Sequence, residues 1–233
     1  MSGQEIAIPG GDGDFTGYLA APPSGTGPGV VVIQEIFGVN TWMRNIADDL
    51  AVAGYVALCP DLFWRIEPGV QINSEDETAF QKAFDLYGRF DVEKGIADLY
   101  STVSHLRQRE ETTAKVGCIG FCLGGFLAYM MAAHSDIDAS VGYYGVGIEP
   151  KLGDAGGITK PLMLHVAVED QFVPKDAQQK VQDGLKGNAL VTIHDYAGQD
   201  HAFARKGGDA YVAEAAELAN GRTLEFFKAS LAA

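Results

Sequence analysis

The sequence predicts an α/β protein with one mostly parallel sheet of about eight strands and helices on both faces. Short β-branched and apolar runs alternate with helical patterns along the chain, and the last pattern is a helix. Most of these runs are almost continuously apolar, which is typical of strands buried on both faces of a parallel sheet. Hydrophobic residues make up 47% of the chain, which is enough for a sizeable core.

Eight strands are predicted from these runs. Two lie near 5–8 and 15–20, on either side of a Gly/Asp turn at 10–13, and indicate an N-terminal hairpin. The other six cover 29–34, 55–59, 115–120, 139–144, 162–168 and 191–196. Sites in such sheets form at the carboxyl ends of strands, so we expect functional residues just past these ends.

Helical patterns separate the strands. One helix is predicted to begin after Asp91 as its N-cap, with an apolar stripe of Val92, Ile96, Leu99, Val103 and Leu106. A second has the stripe Met43, Ile46, Ala47 and Leu50, and the Ala-rich residues 209–229 predict a third. No internal repeat or long low-complexity tract is present, so residues 1–233 are predicted to form a single domain.

Charge and cysteine content narrow the possible partners. The formal net charge of -14 disfavours nucleic-acid and membrane binding, because phosphate groups would be repelled. The odd number of cysteines, three, argues against a disulfide framework and for a reducing compartment. No secretory signal or membrane span is recognisable, so we expect a cytoplasmic protein, a monomer whose partner is a small-molecule substrate.

A nucleophile turn is predicted at Gly120-Phe121-Cys122-Leu123-Gly124. It follows an apolar strand, precedes a helical run, and has the G-x-S-x-G pattern of the nucleophile elbow with Cys in place of Ser. The glycines relieve the steric clash of a sharp turn, and the helix N-terminus favours a thiolate. A small buried cysteine in a glycine-lined turn is the alternative, and it is how we interpret Cys59 and Cys118, which lie in apolar strands.

An acid and a histidine follow in the order that such enzymes require. Asp170 comes just past the predicted strand at 162–168, with Glu169 as a close rival, because one residue decides which side chain turns toward the site. His201 lies in the loop after the last strand and would act as the base. The other four histidines fall in helices or strands, and no ligand spacing indicates a metal. No cofactor is predicted.

The chain resembles the dienelactone hydrolase (carboxymethylenebutenolidase) family of the α/β-hydrolase superfamily over almost its whole length. The resemblance rests on VIQEIFGVN at 32–40, CPDL at 59–62, GFCLGG at 120–125, VGYYG at 141–145 and HAFAR at 201–205. It implies hydrolysis of a small unsaturated lactone that carries a carboxylate, giving maleylacetate in chloroaromatic degradation.

The resemblance also implies roles for individual residues. Glu35 would hold the resting thiol proton and swing away when substrate binds, and Arg205 would pair with Glu35 at rest and then with the substrate carboxylate. The amides of Ile36 and Leu123 would form the oxyanion hole. The pocket would be lined by Phe37, Tyr87, Tyr144 and Phe172. An arginine suits an acidic protein that must hold an anion, although a surface ion pair is the alternative for Arg205.

Three positions depart from the family pattern. Phe80 stands where the family has a second carboxylate-binding arginine, and Lys82 or Arg89 are candidates to compensate. Phe84 and Asp200 replace a tyrosine and a glycine of many relatives. These departures keep two alternatives open: a broader carboxylesterase or thioesterase, and a thiol sensor on a hydrolase scaffold.

Overall fold

The computed structural model describes residues 3–73 and 76–232, which divide into two compact units that meet in sequence between Gly117 and Cys118. The strands of the described part are β1 (Gln4–Ile8), β2 (Phe15–Ala20), β3 (Gly27–Ile33), β4 (Val56–Pro60), β5 (Thr112–Phe121), β6 (Ala139–Tyr143), β7 (Leu162–Ala167) and β8 (Val191–Tyr196). Its α-helices are α1 (Thr41–Val52), α2 (Glu77–Arg89), α3 (Val92–Arg107), α4 (Leu123–His134), α5 (Lys175–Leu185) and α6 (Ala213–Leu231). All eight predicted strands are present, and the α/β class is confirmed.

The first unit contains the predicted N-terminal hairpin. Strand β1 pairs antiparallel with β2, with Ile6 opposite Gly17, and β2 pairs antiparallel with β4. Strand β4 then pairs parallel with β3, with Ala57 beside Val30. The carboxyl end of β3 is therefore set by a parallel neighbour, and β3 and β4 are almost wholly buried.

The second unit is a parallel arrangement with helices on both faces. Strands β6, β7 and β8 pair in that order, all parallel. A Cβ on Gly142 would come within 2.8 Å of the Gly125 oxygen of α4, whereas the hydroxyl of the next residue, Tyr143, bonds to Asn220 and Thr223 of α6. Successive strand residues point to opposite faces, so α4 and α6 cover opposite sides of β6.

Helix starts follow the capping chemistry of the sequence. The Asp91 side chain accepts a hydrogen bond from the Lys94 backbone N–H, as predicted for the N-cap of α3. Asn40 caps α1 in the same way, and Asp76 caps α2. The predicted C-terminal helix is confirmed but begins at Ala213, because residues 201–209 form turns. Among the described helices, none is long and apolar enough to cross a membrane.

A buried histidine ties the last two strands to α6. The His165 side chain is bonded through Nδ1 to the Tyr196 hydroxyl at 2.7 Å and through Nε2 to Thr223 Oγ1 at 3.0 Å, and the residue is 1% exposed. Burial, with smaller contributions from His194 and Arg222, holds its pKa well below the usual value. The imidazole is therefore neutral in the folded protein, as a satisfied core histidine should be.

This neutral imidazole predicts acid sensitivity. Below about pH 6.5, His165 binds a proton in the unfolded chain but not in the folded chain. The free energy of unfolding therefore falls as the pH falls, by up to about 1.4 kcal/mol per pH unit. Urea unfolding between pH 7 and 5 should therefore show a shallower pH slope for His165→Gln than for the wild type. Equal slopes would contradict this assignment.

Candidate active site

The turn from β5 to α4 holds Cys122 in a conformation that L-residues rarely adopt. Cys122 has φ 56° and ψ -114°, and its backbone N–H donates to the Tyr143 oxygen at 3.1 Å. A Cβ on Gly120 would lie 1.9 Å from the Gly124 oxygen, so the strand and helix cross too closely for any side chain there. The glycine pattern is therefore required by the backbone, and the strain at Cys122 is typical of a nucleophile elbow.

Cys122 is also the N-cap residue of α4. The first intrahelical bond runs from the Phe126 N–H to the Cys122 oxygen at 3.2 Å. Leu123 is the first residue of α4, and the N–H groups of a first helical turn have no partner within the helix. These groups and the helix dipole stabilise negative charge, whether on a thiolate or on a developing oxyanion.

An acid–base pair lies at the ends of β7 and β8. His201 Nδ1 is 2.8 Å from Asp170 Oδ2, and the two side chains are 8% and 2% exposed. Cys122 lies close enough to His201 to raise the pKa of the imidazole. The rival acid, Glu169, points elsewhere, because its side chain is 56% exposed and pairs with Lys175 at 2.9 Å. The structure thus brings three of the predicted residues together, in the order thiol, imidazole, carboxylate.

The loop after β7 holds Asp170 in place through backbone groups. The Phe172 N–H donates to Asp170 Oδ1 at 2.8 Å, which leaves Oδ2 to His201. The buried amide of Gln178 donates to three carbonyl oxygens around the loop, those of Ala167, Val168 and Val173. A carboxylate supported in this way is held in one orientation.

The environment of His201 favours its charged form. Burial alone lowers its pKa, but the hydrogen bonds to Asp170 and Cys122 and the attraction of both groups raise the pKa to about 10. Once the thiol has lost its proton, imidazolium is therefore its stable partner near neutral pH. This pairing is how a cysteine nucleophile is activated.

Two aromatic rings hold the imidazole of His201 edge-on. The Tyr144 ring lies 5.0 Å from the His201 ring and the Phe172 ring 4.9 Å from it, with interplanar angles of 61° and 82°. Tyr144 is buried and has φ 38°, whereas Phe172 is 44% exposed. Both predicted lining residues of this unit therefore contact the candidate base.

Arg205 lies on the same loop as His201 and is half-buried. Its backbone N–H donates to the Ala202 oxygen at 2.9 Å, and Ala202 has φ 63°. The loop thus turns sharply directly after the histidine, and this turn sets the path of the chain to Arg205. The anion-binding role of this arginine stays a prediction.

In the first unit, Glu35 follows β3 and is buried, with 2% of its surface exposed. The preceding Gln34 fixes the chain here: its amide donates to the Glu35 carbonyl oxygen at 3.3 Å, and its Oε1 accepts from the Leu62 N–H at 3.0 Å. Ile36 is buried as well, at 7% exposure. A buried carboxylate at the carboxyl end of a parallel strand is costly, which favours a functional explanation for Glu35.

An aromatic cluster, Phe37, Phe80 and Phe84, connects the next residue of this loop to α2. The Phe37 and Phe80 rings meet edge-to-face at 5.5 Å, and Phe80 stacks on Phe84 at 6.3 Å. Tyr87, one turn further along α2, is 40% exposed. Position 80, where the family resemblance predicts an arginine, therefore presents an apolar ring to the predicted lining residue Phe37.

Neither candidate compensating cation is directed to this cluster. Lys82 pairs with Glu67 at 2.6 Å and Arg89 with Asp85 at 3.0 Å, and all four side chains are between 46% and 63% exposed. Pairs as exposed as these are screened surface contacts. The sequence alone did not decide whether Lys82 or Arg89 replaces the expected arginine.

The remaining cysteines are placed as core residues. Cys59 and Cys118 are buried, and the Cys118 thiol contacts Ser140 Oγ at 3.4 Å. Burial raises the pKa of Cys118 to about 12 and that of Cys59 further, so both thiols stay protonated. Within residues 3–73 and 76–232, no group of three or more His, Cys, Asp or Glu side chains is arranged to hold a metal ion.

A strand–cysteine–helix elbow, followed by an acid and a histidine after later strands, defines an α/β hydrolase. The chain belongs to the dienelactone hydrolase family, whose profile matches residues 15–231. The carboxymethylenebutenolidase of Pseudomonas putida is 40% identical over 227 residues, which cover 97% of this chain and 96% of that protein. The resemblance inferred from the motifs is thereby confirmed.

One further relative and one solved structure support the same family. An Azospirillum brasilense protein assigned as a carboxymethylenebutenolidase is 50% identical over 230 residues, covering 97% of this chain and 99% of that protein. The crystal structure of a protein assigned as a dienelactone hydrolase, from Klebsiella pneumoniae subsp. pneumoniae MGH 78578, matches with a TM-score of 0.85 and 29% identity, covering 96% of this chain and 97% of that one. The chain is accordingly a hydrolase that acts on ester or lactone bonds.

Sequence reasoning missed the residues that support the acid–base pair. Gln178 lies on α5, which the sequence patterns did not single out. In the sequence, Asp200 stood out only as a departure from glycine. Nothing in the sequence indicated that Gln171 would bind Asp200. The one sequence feature that could have indicated these contacts is the acidic residue directly before the candidate histidine, because Asp often bonds to nearby backbone N–H groups.

The elbow geometry predicts an intolerance to side chains at position 120. Gly120→Ala should lower the free energy of unfolding by about 2–4 kcal/mol and abolish turnover, because the backbone at Gly124 must move. Gly221→Ala on α6 is the control, since its Cβ meets nothing within 4 Å and should stabilise by up to about 1 kcal/mol. Urea unfolding of both variants checks this prediction. A Gly120→Ala variant with the wild-type free energy of unfolding would contradict the close approach of β5 and α4.

Proposed function

We propose that this chain opens a small unsaturated lactone of the dienelactone type by nucleophilic catalysis with Cys122, His201 and Asp170. The observation that carries the proposal is the buried 2.8 Å bond between Asp170 and His201, beside a cysteine close enough to raise the pKa of that imidazole. The family and the name of the Pseudomonas putida relative support this substrate class. The physiological setting we propose is aromatic-compound degradation in the cytoplasm.

The chemistry runs through an acyl-enzyme. The Cys122 thiol gives its proton to His201, and the thiolate attacks the lactone carbonyl carbon. The carbonyl electron pair moves to oxygen, which the N–H groups of Leu123 and Ile36 would stabilise. Collapse breaks the ring C–O bond and leaves a thioester whose acyl chain carries the enolate. The leaving oxygen takes the His201 proton. Neutral His201 then removes a proton from water, which attacks the thioester and returns the thiolate.

Cysteine suits this substrate for a simple reason. A thiolate is a good nucleophile and also a good leaving group, so the tetrahedral intermediate moves forward only when the other leaving group is as good. An enolate meets this condition, whereas the alkoxide of an ordinary ester does not. The nucleophile therefore favours activated esters and lactones.

Glu35 and Arg205 complete the proposal. Glu35 would hold the thiol proton at rest, and its side chain would swing away when substrate binds. This movement would remove negative charge from beside the sulfur and so favour the thiolate. Arg205 would pair with Glu35 at rest and with the substrate carboxylate in the complex. The buried position of Glu35 after β3 supports this role. The lining is proposed to be Phe37, Tyr87, Tyr144 and Phe172.

The partner we propose is the small-molecule substrate, bound by a monomer. The net charge of -14 opposes nucleic acids and anionic membranes. It also makes Arg205 important, because an anionic substrate must bind against an adverse background field. A cofactor is not required by any step above.

Steady-state hydrolysis of cis- and trans-dienelactone beside p-nitrophenyl acetate tests the proposal. Cys122→Ala, His201→Ala and Asp170→Asn should each lower kcat by about 10³-fold or more, because the three groups act as a unit. Glu169→Gln is the matched control and should stay near the wild-type rate, since Glu169 is exposed and bonded to Lys175. A reactive thiol without turnover of any activated ester would instead support a thiol sensor.

One observation favours a second function, a broader carboxylesterase or thioesterase. The Phe37–Phe80 contact occupies the position of a family cation, and Lys82 and Arg89 are bound to surface carboxylates. An apolar wall favours substrates with an uncharged end, because an unpaired carboxylate beside it would be poorly solvated. Activity on p-nitrophenyl acetate alone would support this function.

Position 80 should therefore control charge preference. Phe80→Arg should raise kcat/KM for dienelactone relative to p-nitrophenyl acetate by about tenfold, the effect of one charge-assisted contact worth about 1.4 kcal/mol. Phe84→Arg, one turn away at an exposed site, should change the ratio much less. Parallel changes for both substrates in Phe80→Arg would rule out a specificity role.

A further inference from the structure

Two loops of the second unit meet around the candidate acid–base pair. We call residues 168–174, after β7, the acid loop and residues 197–205, after β8, the base loop. The Glu169 N–H donates to the Gln199 oxygen at 2.8 Å, and the Val168 N–H donates to the Tyr196 oxygen at 3.1 Å. The loops are thus already joined by backbone bonds at the point where they leave the sheet.

Asp200 adds a second and stronger set of bonds. Its Oδ1 accepts from the His201 N–H at 2.6 Å and from the Gln171 N–H at 3.0 Å, one donor on each loop. Its Oδ2 accepts from the Gln171 side-chain amide at 3.2 Å. A side chain that accepts three bonds, from donors on both loops, limits the movement of one loop relative to the other.

The arrangement is reciprocal. Asp170 of the acid loop reaches His201 of the base loop, and Asp200 of the base loop reaches Gln171 of the acid loop. The residues concerned are neighbours in sequence, 170 beside 171 and 200 beside 201. The bonds of Asp200 therefore lie directly beside the Asp170–His201 bond and constrain its length. Phe172, whose N–H holds Asp170 and whose ring contacts His201, is next in the chain.

We propose that Asp200 is a positioning residue of the catalytic site, which sets the separation and orientation of Asp170 and His201 by tying their two loops together. This inference rests on the proposed function, since it assigns those two residues the acid and base roles. Asp200 acts through backbone hydrogen bonds and not through contact with substrate. A glycine at this position lacks the oxygen atoms that join the loops.

The bonds of Asp200 suggest how to separate hydrogen bonding from charge. Asparagine keeps an oxygen that can accept from both backbone N–H groups and loses only the acceptor for the Gln171 side chain. Gln171→Ala removes that same side-chain bond from the other partner. Asp200→Ala removes all three. A positioning role predicts that Asp200→Asn and Gln171→Ala resemble the wild type and that Asp200→Ala does not.

The test combines kinetics with NMR of the full chain. With p-nitrophenyl acetate, Asp200→Ala should lose about 10- to 100-fold in kcat with little change in KM, as expected for a small displacement of catalytic groups. Its downfield His201 Nδ1 proton resonance should shift or broaden. Asp200→Asn and Gln171→Ala should keep the resonance and remain within about threefold of the wild-type kcat.

Either of two results would overturn the inference. One is a folded Asp200→Ala with wild-type kcat and an unchanged His201 resonance. The other is an Asp200→Asn as impaired as Asp200→Ala, which would make charge the cause. If Asp200→Ala does not fold, Asp200→Gly takes its place with the same readouts. Full activity in Cys122→Ala would refute the proposed function instead, and the His201 resonance would still decide the role of Asp200.

Discussion

The close crossing of β5 and α4 is the constraint on which the candidate site depends. Gly120 and Gly124 approach so closely that the chain must turn within one residue, and Cys122 occupies that turn with a positive φ. The same geometry places the thiol at the start of a helix, where N–H groups face outward. Backbone sterics thus account for the glycines, for the exposure of the nucleophile and for the stabilisation of charge on it. The helix that follows the strained residue, α4, is buried on all sides.

The second half of the site is held by hydrogen bonds between loops and not by packing of a regular element. The acid and base loops leave parallel neighbours, β7 and β8, so their first residues are side by side. From there, the side chains of Asp170 and Asp200 accept from backbone N–H groups, and the amide of Gln178 donates to backbone carbonyl oxygens. A loop fixed in this way can hold an imidazole to within the tolerance that acid–base catalysis requires.

The candidate acid–base pair and the cluster around Phe80 differ in chemical character. The site has an ionic interior, an imidazole whose pKa is raised to about 10 by its two partners. The cluster around Phe80 is apolar, and the nearby Lys82 and Arg89 are bound to surface carboxylates. The proposed chemistry and the proposed charge preference therefore rest on different residues, so separate substitutions can test them.

The sequence by itself determined the α/β class, all eight strands and the elbow. These features depend on apolar periodicity and glycine spacing, which are local in the sequence and act directly on the local backbone structure. It also determined the order of thiol, acid and histidine. Only the tertiary structure decided that Asp170 and not Glu169 faces His201, since one residue of rotation separates them. It alone decided how Asp200 is used, because that depends on which loops become neighbours, a long-range outcome of strand pairing that no local pattern encodes.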